Sequence, residues 1–279
     1  MKRLLSIELQ KIWKNKASRI LTISYFVLLS FIALIASIKF NIGSFKLHIA
    51  EQGIFNFPYI WHFNTYIAAI LKFFLAIVIV SMMANEYSYG TLKQNLIDGM
   101  SKQEFIKSKF LTVVVFALAS TVFVFIMSMI LGFCFSSYTE IDIIFSDLEY
   151  LLAYFIKLVA FFSFCLFLGI LVKRSAFALG FLFVWNIVEG IAKAILTFKI
   201  FPDNDAAANI MQFFPLEAMS NLIKEPFTRL SVVKNIENSI GGAANIKDYG
   251  VNISTIIIVL VWIVIFVLMS YKLLKKRDL

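Results

Sequence analysis

Charge is what this chain has least of. Only 15% of its 279 residues are Asp, Glu, Lys or Arg, while 61% are hydrophobic and 31 are Phe; so small a polar stock cannot cover a soluble surface of this size. Cysteine is nearly absent. Cys134 and Cys165 both fall in apolar runs, where they read as small packing residues that say nothing of the redox compartment. Histidine is as scarce, and neither His48 nor His62 has metal-ligand spacing to a partner, so no metal site is assigned. There is no GxxxxGK[ST] phosphate loop, no HExxH and no Cys/His cluster, and no acid pair or nucleophile with a base stands out. The chain is therefore expected to catalyse nothing by itself and to hold no cofactor. It also shows no internal repeat, no low-complexity tract and no soluble domain large enough to fold alone.

What is present is a series of apolar runs near the length of about 20 residues needed to cross a bilayer: 17–38, 66–83, 110–135, 150–172, 175–198 and 253–271. The expected fold is an all-α integral membrane protein, one transmembrane domain of six helices. The first run is too long for the apolar core of a secretory signal peptide and lacks a small-residue cleavage site, so it is expected to be retained. Ahead of it, 1–16 places Leu4, Leu5, Leu9, Ile12 and Trp13 on one helical face and Lys2, Arg3, Glu8, Lys11 and Lys14 around the other. This is the pattern of an amphipathic elbow helix lying on the bilayer surface, against membrane lipid.

The net charge of +9 points to membrane orientation rather than to nucleic acid. Sixteen Lys and Arg fall in 1–19, 85–109, 173–174 and the stretch from Lys272 onward, against seven in the other three intervals: Lys39, Lys46, Lys199, Lys224, Arg229, Lys234 and Lys247. Both termini and 85–109 are accordingly expected to be cytoplasmic. On the opposite side, the aromatics of 56–66 read as an interfacial belt that includes His62. The interval 199–252, punctuated by Pro202, Pro215 and Pro226, reads either as a surface loop or as one carrying short amphipathic helices over 206–214 and 216–223.

The interval 85–109 carries strong helix-start chemistry. Thr91 with Gln94, and Ser101 with Glu104, each have capping-box spacing, and Gly99 lies where a left-handed residue would end the first helix. A short helix, a break and a second helix running into 110–135 are expected. Within the spans, Asn186, Glu189 and Lys193 fall near one helical face. They form either an internal Glu–Lys pair or a cargo contact, since ionisable residues in a span are costly unless paired or wet. Lys72 and Lys157 lie about two turns inside the outer ends of their spans, from where they can snorkel outward.

Glu86, Gly90, Thr91 and Leu92, followed by Gln94 to Gly99 and then by Ser101, Lys102, Glu104 and Phe105 up to Lys109, resemble the signature between spans two and three of type-2 ABC exporter permeases. The elbow, the six spans and the long last external loop extend the resemblance over essentially the whole chain. One departure is Lys102 where Arg is common; it lacks the bidentate fork. The large extracellular insertions of some relatives are also missing, which argues against macrolide-type or lipoprotein-release machinery.

The resemblance implies a non-catalytic permease in a bacterial cytoplasmic membrane. It would pair with a second copy or a paralogous permease and with two separate ATPase subunits, which hold the ATP and Mg. In such permeases the helix after span two sits in a cleft of the ATPase, here with Leu92, Leu96 and Ile97 as apolar contacts and Lys93 at the rim. The expected function is export of an amphiphile such as a peptide, drug or lipid. The alternative is an ATPase-coupled component that relays force or signal to envelope partners without transport.

Overall fold

The computed structural model describes residues 2–38, 40–42, 45–47, 53–202, 206–229 and 248–277; Lys39, His48, Lys234 and Lys247 lie outside them. The amphipathic pattern at the N-terminus forms helix α1 (Lys2–Lys14). Asn15 then caps α2 (Lys16–Ser37), its Oδ1 accepting from the Ser18 backbone N–H at 3.1 Å. A short antiparallel hairpin follows, β1 (Phe40–Ile42) with β2 (Phe45–Leu47), and the other regular elements of the described residues are helices.

The run expected over 66–83 begins earlier and is not one rod. It consists of α3 (Tyr59–Ile70) and α4 (Lys72–Ser88), bent by 45° at Leu71. The aromatic stretch assigned to an interfacial belt is the first part of this pair, and Trp61, His62 and Phe63 are buried in it. Helix α5 (Thr91–Ile97) is separated by a tight break from α6 (Lys102–Phe135). At 34 residues, α6 is about 50 Å long. That exceeds the hydrocarbon thickness of about 30 Å, so its polar first turns continue an apolar span as one rod.

After the single turn α7 (Ile141–Ile144) come α8 (Glu149–Val172) and α9 (Ser175–Ile195), the latter extended by a π turn over Leu196–Ile200. The expected loop helices are shorter than the sequence pattern suggests: α10 (Ala206–Met211), α11 (Pro215–Asn221) and a 3₁₀ turn at Phe227–Arg229. The last helix is α12 (Ile253–Lys276). Among the described residues, five helices are long and apolar enough to cross a membrane, or six if the bent pair α3/α4 is one span.

Helix α8 is the axis of the bundle. It is buried along most of its length, and α3, α4, α6, α9 and α12 all pack on it. Its Tyr154 hydroxyl joins those of Tyr25 on α2 and Ser120 on α6 in a buried triangle with sides of 2.5, 2.7 and 2.8 Å. Three helices are thus pinned at one level, and no hydroxyl there lacks a partner. Helix α9 is the opposite case: it buries little beyond Ala178, Leu182 and Glu189 and leaves Phe177, Phe183, Val184, Ile187 and Ile191 bare.

Candidate functional site

The site expectations converge on the end of the bundle where α1, α4, α5 and α6 meet. Gly90 (φ 68°) and Gly99 (φ 96°) bracket α5, each in the left-handed region that a side chain disfavours. Ser101 caps α6 as its spacing predicts: its Oγ accepts from the Glu104 N–H at 3.1 Å, and a Glu104 carboxylate oxygen accepts from the Ser101 N–H at 3.0 Å. The Ser101 N–H and the Ser101 hydroxyl, which also donates to that oxygen at 2.9 Å, hold the Glu104 carboxyl below its ordinary pKa.

The second expected capping box, at Thr91 and Gln94, does not form. Gly90 is the N-cap and makes no side-chain cap, while Gln94 donates to Asp98 at 2.9 Å. The Thr91 hydroxyl turns back one helical turn and donates to Glu86 at 2.5 Å. As an N-cap the hydroxyl oxygen would accept from the Gln94 N–H, but that N–H donates to the Gly90 carbonyl at 3.2 Å, and the hydroxyl proton goes to the carboxylate within its reach.

Glu86 is buried, and its other oxygen accepts from Lys109 Nζ on α6 at 2.6 Å and from Lys11 Nζ on α1 at 2.9 Å. Lys109 is 0% exposed and also donates to Glu8 at 2.5 Å. Lys11 lies 3.5 Å from Glu8. Two carboxylates and two ammonium groups thus close a neutral knot joining α1, α4 and α6, with α5 strapped to it through Thr91. Burial works against the charged form of Lys11, but its contacts with Glu86 and Glu8 outweigh that and raise its pKa. Both carboxylates of the knot have a cationic partner, as low-dielectric surroundings demand.

Sequence reasoning placed Glu86 and Thr91 in this segment and missed Glu8, Lys11 and Lys109 as their partners. The available signal was Glu8, the lone acid on the otherwise cationic polar face of α1. Leu92, expected to face outward, is buried in the chain's own core, and Leu96 packs against it. The exposed apolar groups here are Ile97, 69% exposed, and Tyr89, 73% exposed, with Lys93 exposed beside them.

The chain's other end arrives at the same place. Arg277 donates to the Tyr87 hydroxyl at 3.0 Å, to the Leu171 carbonyl at 2.9 Å and to the Ile170 carbonyl. It thereby satisfies carbonyls in the last turn of α8 that have no helical partner. Lys102 donates to the Arg277 carbonyl at 2.9 Å.

The intramembrane candidates do not form one site. Glu189 and Lys193 are not paired with each other. Glu189 accepts from Trp185 Nε1 at 2.6 Å and from the backbone N–H groups of Leu216 and Glu217 at 3.1 and 3.0 Å. It thereby caps α11, which opens with Pro215 and has no cap of its own. Lys193 pairs instead with Glu217 at 2.6 Å, and Asn186 is exposed at the edge of a small cavity shared with Phe73, Phe161, Leu182 and Leu216. Nor does Lys157 snorkel: it is 5% exposed, and its Nζ has only the Ser220 carbonyl at 3.5 Å. Lys72 is half-buried, its ammonium 4.8 Å from the centre of the Phe161 ring.

At this loop end, His62 is the centre of a separate knot. It is fully buried and stacked on Tyr150, with the Lys224 carbonyl 2.8 Å from one ring nitrogen and Arg229 3.1 Å from the other. No group of His, Cys, Asp and Glu suited to a metal occurs among the described residues.

Residues 26–279 match a family described as "Protein of unknown function (DUF2705)", a stretch that begins within α2 and so leaves out α1. No curated protein matches the chain.

Proposed function

The chain belongs to the DUF2705 family, whose description assigns no activity, and we propose a role on the strength of its own residues. We propose that it is the membrane-spanning permease subunit of an ATP-binding-cassette transporter, exporting an amphiphile with ATP hydrolysed by two separate ATPase subunits. In this reading the bundle sits in a bacterial cytoplasmic membrane with both termini and 85–109 inside, in keeping with the basic asymmetry of the sequence. Helix α1 lies in the inner interface. The bare apolar face of α9 suits a second permease copy or a paralogue.

The observation that carries the reading is the mounting of α5. A helix of 7 residues is too short to be stable by itself. Here it is fixed by two left-handed glycines, the buried Leu92 and the Thr91–Glu86–Lys109–Glu8 chain of contacts. Its free side presents Lys93 and Ile97, with Tyr89 exposed just ahead of its first residue. A push on α5 therefore reaches α4, α6 and α1 through charged contacts, as coupling to an ATPase requires.

Asn95→Pro places a proline in the interior of α5, at a cost of about 3 kcal/mol, outside every apolar run. The variant should insert normally yet fail to co-purify with a co-expressed ATPase subunit, or bind it without substrate-stimulated hydrolysis. Full retention of both would sink the assignment. Orientation is checked separately with an impermeant thiol reagent on intact cells, in a Cys134→Ser background. A cysteine at Ser137 should label and one at Gln103 should not.

A further inference from the structure

Helix α1 borders a second feature besides the charged knot. Between it, α2 and α6 runs a groove of about 600 Å³, within the size range of sites that hold small ligands. Leu5, Leu9, Phe26, Phe116 and Ala119 line it, so its interior is apolar. Its margin on α1 carries Lys2, Ser6 and Gln10. These stand four residues apart and so form one row along the helix.

All three are exposed, and among the described residues none of their side chains makes a hydrogen bond or ion pair. The one charge lining the groove is the ammonium of Lys2; Glu8, the nearest acid on α1, is turned inward to Lys109. An apolar trough edged by an unused cation, a hydroxyl and an amide matches a molecule with a long hydrocarbon chain and a phosphate at its head. Basic pockets between helices at the cytoplasmic face suit such headgroups.

We infer that the groove holds one anionic phospholipid of the inner leaflet, with an acyl chain against Leu9, Phe26 and Ala119 and the headgroup phosphate on the Lys2–Ser6–Gln10 row. The inference rests on the reading that α1 lies in the inner interface. A free phosphate would leave the apolar trough empty, which is why a lipid and not a soluble anion is assigned. The bound lipid would wedge α1 against α2 and α6 on the side opposite the charged knot, so that the elbow is seated by an ion network on one flank and by lipid on the other.

Trp13 borders the groove and is exposed, which makes it a built-in reporter. The full-length protein is reconstituted into phosphatidylcholine vesicles containing a minor fraction of either phosphatidylglycerol or phosphatidylcholine brominated on the acyl chains. Quenching of the Trp13 component is isolated by subtracting a Trp13→Phe control. At equal mole fraction, brominated phosphatidylglycerol should quench about five-fold more effectively, the preference one lysine confers near a membrane surface, and the excess should saturate. Ala119→Phe fills the trough without altering charge and should bring quenching down to the phosphatidylcholine level, as should Lys2→Gln.

Equal quenching by the two lipids in the parent protein would overturn the site. So would an excess that Ala119→Phe leaves intact, since it would report surface charge alone. If brominated phosphatidylcholine fails to quench Trp13 even as the whole bilayer, then α1 is not interfacial and the underlying reading falls instead.

Discussion

Lys109 and Lys157 are buried to nearly the same degree, 0% and 5% exposed, at opposite ends of the bundle, yet their surroundings share nothing. Lys109 has carboxylates at 2.5 and 2.6 Å on two other helices. Lys157 has a single carbonyl at 3.5 Å, and the nearest other ionisable group on the neighbouring α4, Lys72, is also a cation. One lysine closes a neutral knot, whereas the other carries a desolvation cost that nothing beside it offsets. A buried lysine is therefore neither stabilising nor destabilising as such, and its partners decide the sign.

Removing each ammonium should break the resemblance between the two. Lys109→Met strands Glu8 and Glu86 with only the half-exposed Lys11 between them. Uncompensated buried charge costs about 3–5 kcal/mol, so the thermal unfolding transition of the detergent-solubilised protein should fall steeply, and protease access to α1 should rise. Lys157→Met keeps the shape of the stem and removes a buried amine whose one contact is a carbonyl at 3.5 Å. Its transition should stay level or rise, by on the order of 1 kcal/mol; a fall as deep as that of Lys109→Met would mean that the two ends are held alike.

A smaller contrast sharpens the same point within 85–109. Ser101→Ala removes an N-cap, which costs about 1 kcal/mol. It should shift stability by that amount while leaving the knot intact. Thr91→Ala removes no cap, because Gly90 occupies that position. It should instead loosen α5 from Glu86, which hydrogen exchange confined to 91–97 would detect with little change in global unfolding.

The same comparison shows how much the sequence could tell. The helices at 16–37, 149–172 and 253–276 were legible because apolar length and its interruption by charge are local properties. The Ser101 cap was legible because its two partners lie three residues apart. Partnership across helices was not. Lys109 stood in the sequence as the last residue of a polar interval, and Glu8, which completes its coordination, lies 101 residues away. Glu189 and Lys193 lie four apart, the spacing of a helical ion pair, yet each turns to α11 instead. There a carboxylate finds two unpartnered backbone N–H groups and a lysine finds Glu217. The break at Leu71 was hidden because it contains neither proline nor glycine.

The central place of α8 also bears on how the chain is made. Apart from Lys157, α8 buries an almost wholly apolar surface, and its covering is supplied by segments synthesised at different times. α2, α4 and α6 precede it on the ribosome. α12, which packs Phe266 against Phe164 and Phe167, emerges after it. Until it does, one flank of α8 faces lipid and its final carbonyls lack Arg277. The covering of α8 is therefore finished only after α8 itself has been made, by a helix that packs on it and, through Arg277, ties its last carbonyls to Tyr87, beside α5.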